Sequence, residues 1–193
     1  MARYWRAMSE ENVEIVRQPI ILRAHPRRRL EERLALRFPP AVILLARAVW
    51  RLPPRSRLRQ AYLRRAVQLG FEALNRDDVE AAFATYHPEV ELELPKEFVG
   101  LGLDPPDRGR EERVSFERRW NAEWGRVRYE FEEIIDLGDR LLVIGHFEGS
   151  GPSSGAGFDN EFAEIFTISR GRVIREQAFF DHAEALKAAG LSE

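Results

Sequence analysis

The chain of 193 residues contains no cysteine, which excludes a disulfide framework, a thiolate metal site and a cysteine nucleophile. Histidine is scarce. His25, His87, His146 and His182 are scattered, and no two stand at the i, i+4 spacing of a helical zinc site; no metal is expected. Long apolar runs are also missing. AVILLARAVW at 41–50 is interrupted by Arg47 and is half the roughly 20 residues that a bilayer span requires. MARYWRAMSEEN at the N-terminus lacks the apolar core of a secretory signal, so the expectation is a soluble, cytoplasmic protein.

Lysine occurs only at Lys96 and Lys187, so arginine carries the positive charge, and it does so unevenly. Residues 1–70 hold sixteen arginines against five acids, whereas residues 71–193 hold fourteen basic and twenty-seven acidic residues. The formal net charge of -2 therefore hides two halves of opposite sign. The basic half suits the acidic half of its own fold, an anionic membrane surface or a nucleic acid. Its arginines lack the interleaved aromatics of a single-strand platform, so no nucleic-acid partner is expected, and membrane contact is the minor reading beside packing on the domain.

What remains is a globular composition, 44% hydrophobic and 32% charged, with length for one core and some accessory structure. Proline pairs at 39–40 and 53–54 punctuate the basic half, and short helices are expected at about 9–18, 27–38 and 41–51. A longer helix at about 56–75 starts its apolar stripe at Leu58, and a second, capped by Asp77 or Asp78, runs to Tyr86 and stops at His87-Pro88. VELEL at 90–94 alternates as a strand, and Phe116, Trp120 and Trp124 mark a helix at about 110–123. Strands follow at 128–135, 140–149, 158–168 and 172–180. Gly138-Asp139, GSGPSSGAG and Arg170-Gly171 supply the turns between them. GSGPSSGAG lacks the GK[ST] ending of a phosphate-binding loop. A last helix lies between Asp181 and Gly190. Helices first, then a mainly antiparallel sheet with one helix inserted and one appended, is an α+β pattern; a curved sheet wrapped around helices encloses an apolar pocket.

The succession FEALNRDDVEAAFATYHPEVELELP, RGREE, IDLGDRLLVIGHFEGSG and FAEIFTISRGRVIREQAFFDHAEALKAAGL resembles the SnoaL-like, polyketide-cyclase-like branch of the nuclear transport factor 2-like superfamily. The likeness covers about residues 56–190. It implies a cone-shaped, cystatin-like α+β barrel at 56–193, a basic helical extension or insertion at 1–55, a homodimer and no cofactor. It also implies where catalytic groups stand. The carboxylate of the aldol cyclases and epoxide hydrolases maps to Ala178, the facing histidine or aspartic acid to Glu164, the general base of ketosteroid isomerases to Leu94, and their tyrosine to about Gly70.

Alternation along the strands turns Glu164 inward with Phe162 and Phe166, and Glu176 with Ala178 and Phe180. A carboxylate among phenylalanines titrates high and serves as an acid or base near neutrality. Glu164, His146 and Glu176 are therefore the catalytic candidates, while Trp120, Leu94, Phe162, Phe166, Ala178 and Phe180 are expected to line the pocket. The resulting expectation is a protein that binds a small hydrophobic molecule. The alternatives are a cofactor-independent isomerase, cyclase or hydratase acting on a hydrophobic ring or polyketide-like compound, and an interaction module using the basic N-terminus.

Overall fold

The computed structural model describes residues 6–7, 14–17, 27–95, 98, 104, 106–125, 127–150 and 157–192. Two short strands, β1 (Arg6–Ala7) and β2 (Glu14–Arg17), precede helices α1 (Leu30–Arg37), α2 (Pro39–Trp50), α3 (Arg57–Leu74) and α4 (Val79–Ala82). Strand β3 (Tyr86–Glu93) leads to helix α5 (Arg110–Trp124). Strands β4 (Arg128–Asp136), β5 (Arg140–Ser150), β6 (Gly157–Ser169) and β7 (Arg172–Phe179) follow, then helix α6 (His182–Ala189) and β8 (Leu191–Ser192), which pairs with β1.

The main sheet has the order β2-β4-β5-β6-β7-β3. All its pairings are antiparallel except β3 with β7, which run parallel. The expected α+β architecture is thus present. Turn chemistry fixes the hairpins: Gly138 (φ 92°) closes β4–β5, and Arg170 (φ 51°) with Gly171 (φ 77°) closes β6–β7 in the left-handed region that such turns need. The carboxylate of Asp181 accepts from the backbone N–H groups of Ala183 and Glu184 at 2.7 and 3.2 Å, and left-handed Gly190 ends α6.

Four local expectations change. Of the helix expected over 9–18, residues 14–17 are described, and they form an edge strand against β4. At the open sheet edge this short segment pairs the backbone groups on its inner side with β4, which outweighs a weak helix preference. The helix after Asp78 ends at Ala82, and β3 begins at Tyr86, so His87 lies in a strand, where its Nδ1 accepts from the backbone N–H of Glu89 at 3.1 Å. Asp78 does not cap with its side chain because the carboxylate is taken by Arg28 at 2.7 Å. Leu58 does not open the buried stripe of α3 but is exposed, and Arg59 beside it is buried instead. The GSGPSSGAG turn falls mostly outside the described residues, at 151–156.

Charge halves meet as well as sequence halves. Arg28, Arg29 and Arg59 of the basic segment pair with Asp78, Glu72 and Asp136 of the acidic one, each at 2.7 Å. The sheet separates two apolar layers. On its outer face Leu142, Ile144, Ala163 and Ile165 pack with Ala185, Leu186 and Ala189 of α6. On its inner face Phe131, Val143, Phe147 and Phe162 meet Phe71 of α3 and Phe116 and Trp120 of α5. Between sheet and helices lies the space that becomes the site.

Candidate functional site

Strand alternation decides which side chains enter that space. Across the ladders Glu164 stands between Val143 on β5 and Ala178 on β7, while Phe166 of β6 stands opposite Glu176 of β7. Helix α5 supplies the facing wall. Arg113, Phe116, Glu117 and Trp120 are all buried at i, i+3, i+4 and i+7, the spacing of a single helical face. Two carboxylates of the sheet thus confront an arginine and a third carboxylate on the helix.

Arg113 joins most of them. Its Nη2 and Nε donate to Glu176 at 2.8 and 3.1 Å, and Nη1 donates to Glu117 at 2.8 Å. The Tyr129 hydroxyl donates to the other oxygen of Glu117 at 3.1 Å. The guanidinium carbon also lies 4.2 Å from the centre of the Phe83 ring, a cation–π contact of the desolvated kind. One cation therefore faces two carboxylates to which it is already bonded. Glu164 is the third carboxylate, and among the described residues it has no hydrogen-bond or ion-pair partner.

Electrostatics follow from that arrangement. Burial pushes Glu164 well above the ordinary carboxylate range, the neighbouring Glu176 pushes it further, and Arg113 pulls the other way without prevailing. Glu164 keeps some accessible surface, but that surface opens on internal cavities. It behaves as a buried group despite its partial exposure. Burial and Glu176 likewise hold the Tyr86 hydroxyl protonated, and burial and Glu117 hold that of Tyr129. Arg113 would lose affinity for its proton through burial, but Glu176 and Glu117 hold it well above its usual value. The waist therefore holds the Tyr129 hydroxyl, a Glu164 carboxyl whose proton is held more tightly than usual, and one arginine bonded to two carboxylates, with Tyr86 beside it in the larger lobe.

Two apolar lobes adjoin this waist. The larger, about 150 Å³, is walled by α2, α3 and the ends of β6 and β7, including Trp50, Leu63, Val67, Phe71 and Phe166. The smaller, about 50 Å³, is walled by Leu94, Phe98, Trp120, Phe147, Phe162, Ala178 and Phe180, among others. The residues common to both are Arg113, Glu117, Tyr129, Glu164 and Glu176. Ala66 lines the larger lobe and is also exposed, which places an opening beside it.

Of the catalytic candidates, Glu164 and Glu176 come together at the waist, with Glu176 committed to Arg113. His146 does not join them. It alternates out of phase with Val143, lies on the outer face of the sheet, and places its ring nitrogens 3.6 Å from Glu130 and 3.4 Å from Glu132. The six expected lining residues all border a lobe: Trp120, Leu94, Phe162, Ala178 and Phe180 the smaller one and Phe166 the larger. Sequence pattern alone does not single out Arg113, Glu117 and Tyr129. A signal existed, since Arg113 and Glu117 share a helical face with Phe116 and Trp120. Among the described residues no group of three His, Asp or Glu is arranged to hold a metal ion.

Comparison with known proteins agrees with this fold. The model of the SnoaL-like domain matches residues 67–176. No protein of curated function matches the chain. Among solved structures, an NTF2-like protein of unknown function from Burkholderia pseudomallei K96243 shares 24% identity, with 64% of this chain and 94% of that one covered at a TM-score of 0.56. TerC co-crystallised with polyporic acid shares 23% identity over 65% and 95% of the two chains, at a TM-score of 0.55. A protein from Jannaschia sp. CCS1 classed as a SnoaL-like polyketide cyclase shares 19% over 65% and 90%, at 0.52.

Proposed function

The chain belongs to the SnoaL-like family, and from that premise and the geometry of its waist we propose that it binds a small, largely apolar ring compound carrying one oxygen, which Glu164 meets as a neutral hydrogen-bond donor. The observation that carries this reading is the unpartnered Glu164 between two apolar lobes. A buried polar group without a partner costs about 1–3 kcal/mol, and a ligand oxygen at the waist removes that cost. The larger lobe is of the size that receives a single aromatic ring. Burying about 150 Å² of apolar surface contributes about 4 kcal/mol, against about 1 kcal/mol for a neutral hydrogen bond. The apolar body therefore sets affinity and Glu164 sets orientation.

A second reading rests on the same residue. A carboxyl whose proton is held well above the usual range is suited to general acid/base work near neutrality, as in an isomerase, cyclase or hydratase. Against it, Ala178 stands directly across the ladder from Glu164, so the position that the family resemblance assigns to a second carboxylate holds a methyl group.

One variant separates the two. Binding of single-ring aromatic ketones and phenols, such as acetophenone and 4-ethylphenol, is followed by thermal shift and by titration. Under the binding reading Glu164→Gln, whose amide still donates, changes affinity less than tenfold. Under the catalytic reading, turnover of a compound that binds falls roughly 100-fold or more in the same variant. If none of the ring compounds raises the melting temperature of the wild-type protein, the binding reading is wrong.

A further inference from the structure

The exposed large hydrophobic side chains of the described residues are Leu30, Leu34, Phe38, Leu44, Leu45 and Leu58, all within one stretch of 29 residues. Helix α2 shows the reason most clearly. Its inner face is spent on the domain, with Ala46 and Val49 buried and Trp50 in the cavity wall. Its outer face carries Ala41, Leu44, Leu45 and Ala48, all exposed, at i, i+3, i+4 and i+7. That spacing normally marks the stripe a helix buries, yet here it faces away from the protein, with Leu44 67% and Leu45 56% exposed. A helix apolar on both faces needs cover on both.

Charge selects the cover. The same stretch displays Arg33, Arg37, Arg47, Arg51, Arg55 and Arg57, all exposed and, among the described residues, none in an ion pair. The arginines that neutralise the acidic half are others, Arg28, Arg29 and Arg59. A second copy docking by a two-fold axis would bring this patch against itself, arginine facing arginine. A nucleic acid would neutralise the arginines but offer nothing to the leucines. An anionic bilayer surface meets both demands, taking leucines into the acyl boundary and guanidinium groups among lipid phosphates.

We propose that α1, α2 and the start of α3 dock the protein on anionic phospholipid membranes, with the Leu44–Leu45 stripe inserted. Because α2 also walls the larger lobe, the docked helix borders the cavity. The docking itself does not depend on what the cavity holds.

The test is flotation of the full chain with vesicles of phosphatidylcholine alone or with about one-third phosphatidylglycerol. Binding to the anionic vesicles is expected to exceed binding to neutral ones by tenfold or more. Each arginine near the surface contributes about a fivefold factor, so Arg47→Ala with Arg51→Ala is expected to weaken binding about 25-fold. Leu44→Glu with Leu45→Glu is expected to abolish it while leaving the melting temperature unchanged, because both side chains are exposed. Negligible binding to either vesicle, or equal binding to both, overturns the proposal. So does a concentration-dependent dimer that Leu44→Glu with Leu45→Glu dissociates in the absence of lipid, since a second copy would then be the cover.

Discussion

Glu164 and Arg113 share the walls of the same two cavities, yet no hydrogen bond joins them. Arg113 directs its donors to Glu176 and Glu117, so it does not offset the burial and the neighbouring Glu176 that push Glu164 well above the ordinary carboxylate range. A second arginine, or a freer one, would ionise Glu164 and turn the waist into a salt bridge. The function proposed for the cavity therefore depends on how this one cation is distributed.

The first consequence concerns pH. The folded-state pKa of Glu164 is raised above its unfolded value by burial and by Glu176. Between those two values the native state holds a proton that the unfolded state has released, so stability falls as pH rises. The contribution is complete below the ordinary glutamate range and is lost as pH climbs through the raised value. Glu164→Gln cannot ionise. Its unfolding free energy is expected to lose this downward slope, so the variant gains on wild type with increasing pH above about 4.5. Urea unfolding of both proteins from pH 4 to 9 checks this, and parallel pH profiles would contradict it.

Removing the cation should be costly. Arg113→Met leaves Glu176 and Glu117 buried without their partner, a change of about 3–5 kcal/mol. Adding Glu176→Gln to that background removes one of the stranded charges and is expected to recover part of the loss. A coupling energy above about 1 kcal/mol in the double-variant cycle, measured by urea unfolding, is the expected sign of direct contact.

A third prediction concerns how α2 closes the larger lobe. Gly171 lies at φ 77°, and a Cβ there would stand 2.5 Å from the Ile43 carbonyl oxygen and 2.8 Å from the Arg47 nitrogen, both backbone atoms of α2. Gly190 has a similar φ of 81°, but a Cβ there would meet nothing within 4 Å. Gly190→Ala should therefore cost only the left-handed strain, about 1–2 kcal/mol. Gly171→Ala should cost that and a further 1–3 kcal/mol or so from overpacking, and should push α2 away from the cavity. Limited proteolysis between Pro39 and Arg57 is the readout, with faster cleavage expected in Gly171→Ala alone.

Much of this site was legible from alternation. Period two along β6 and β7 placed Phe162, Glu164, Phe166, Glu176 and Ala178 correctly on one face because a half-buried strand forces that pattern. The same rule removes His146, which is one residue out of phase with inward Val143 and Phe147. Arg113 was not legible in the same way. An arginine in the first turn of RGREERVSFERRW reads as solvated surface, and only the nonlocal approach of Glu176 makes its burial affordable. The edge strand at Glu14–Arg17 has the same origin: its partner β4 lies more than a hundred residues away. Local pattern specified faces, and long-range pairing specified which charged side chains were buried.

Long-range pairing also underlies the fourth prediction. Arg59 and Asp136 are 3% and 1% exposed and are joined by two bonds of 2.7 Å. Arg59 further donates to the carbonyls of Trp50 and Leu52 at 2.8 and 2.9 Å and to that of Gly138. It thereby ties the end of α2, the start of α3 and the β4–β5 turn together. Arg59→Met leaves Asp136 charged and buried and strands three carbonyls, so a loss of about 3–5 kcal/mol is expected. At about 2–4 °C per kcal/mol for a chain of this size, the melting temperature should fall by roughly 10 °C. Arg65→Met is the matched control. Its pair with Glu31 is 34% and 48% exposed, and such pairs contribute about 0–1 kcal/mol. If calorimetry shows equal shifts for the two variants, burial is not what gives the Arg59 pair its weight. Adding Asp136→Leu to Arg59→Met should then restore most of the loss only if the stranded charge, rather than the lost carbonyl bonds, is the larger cost.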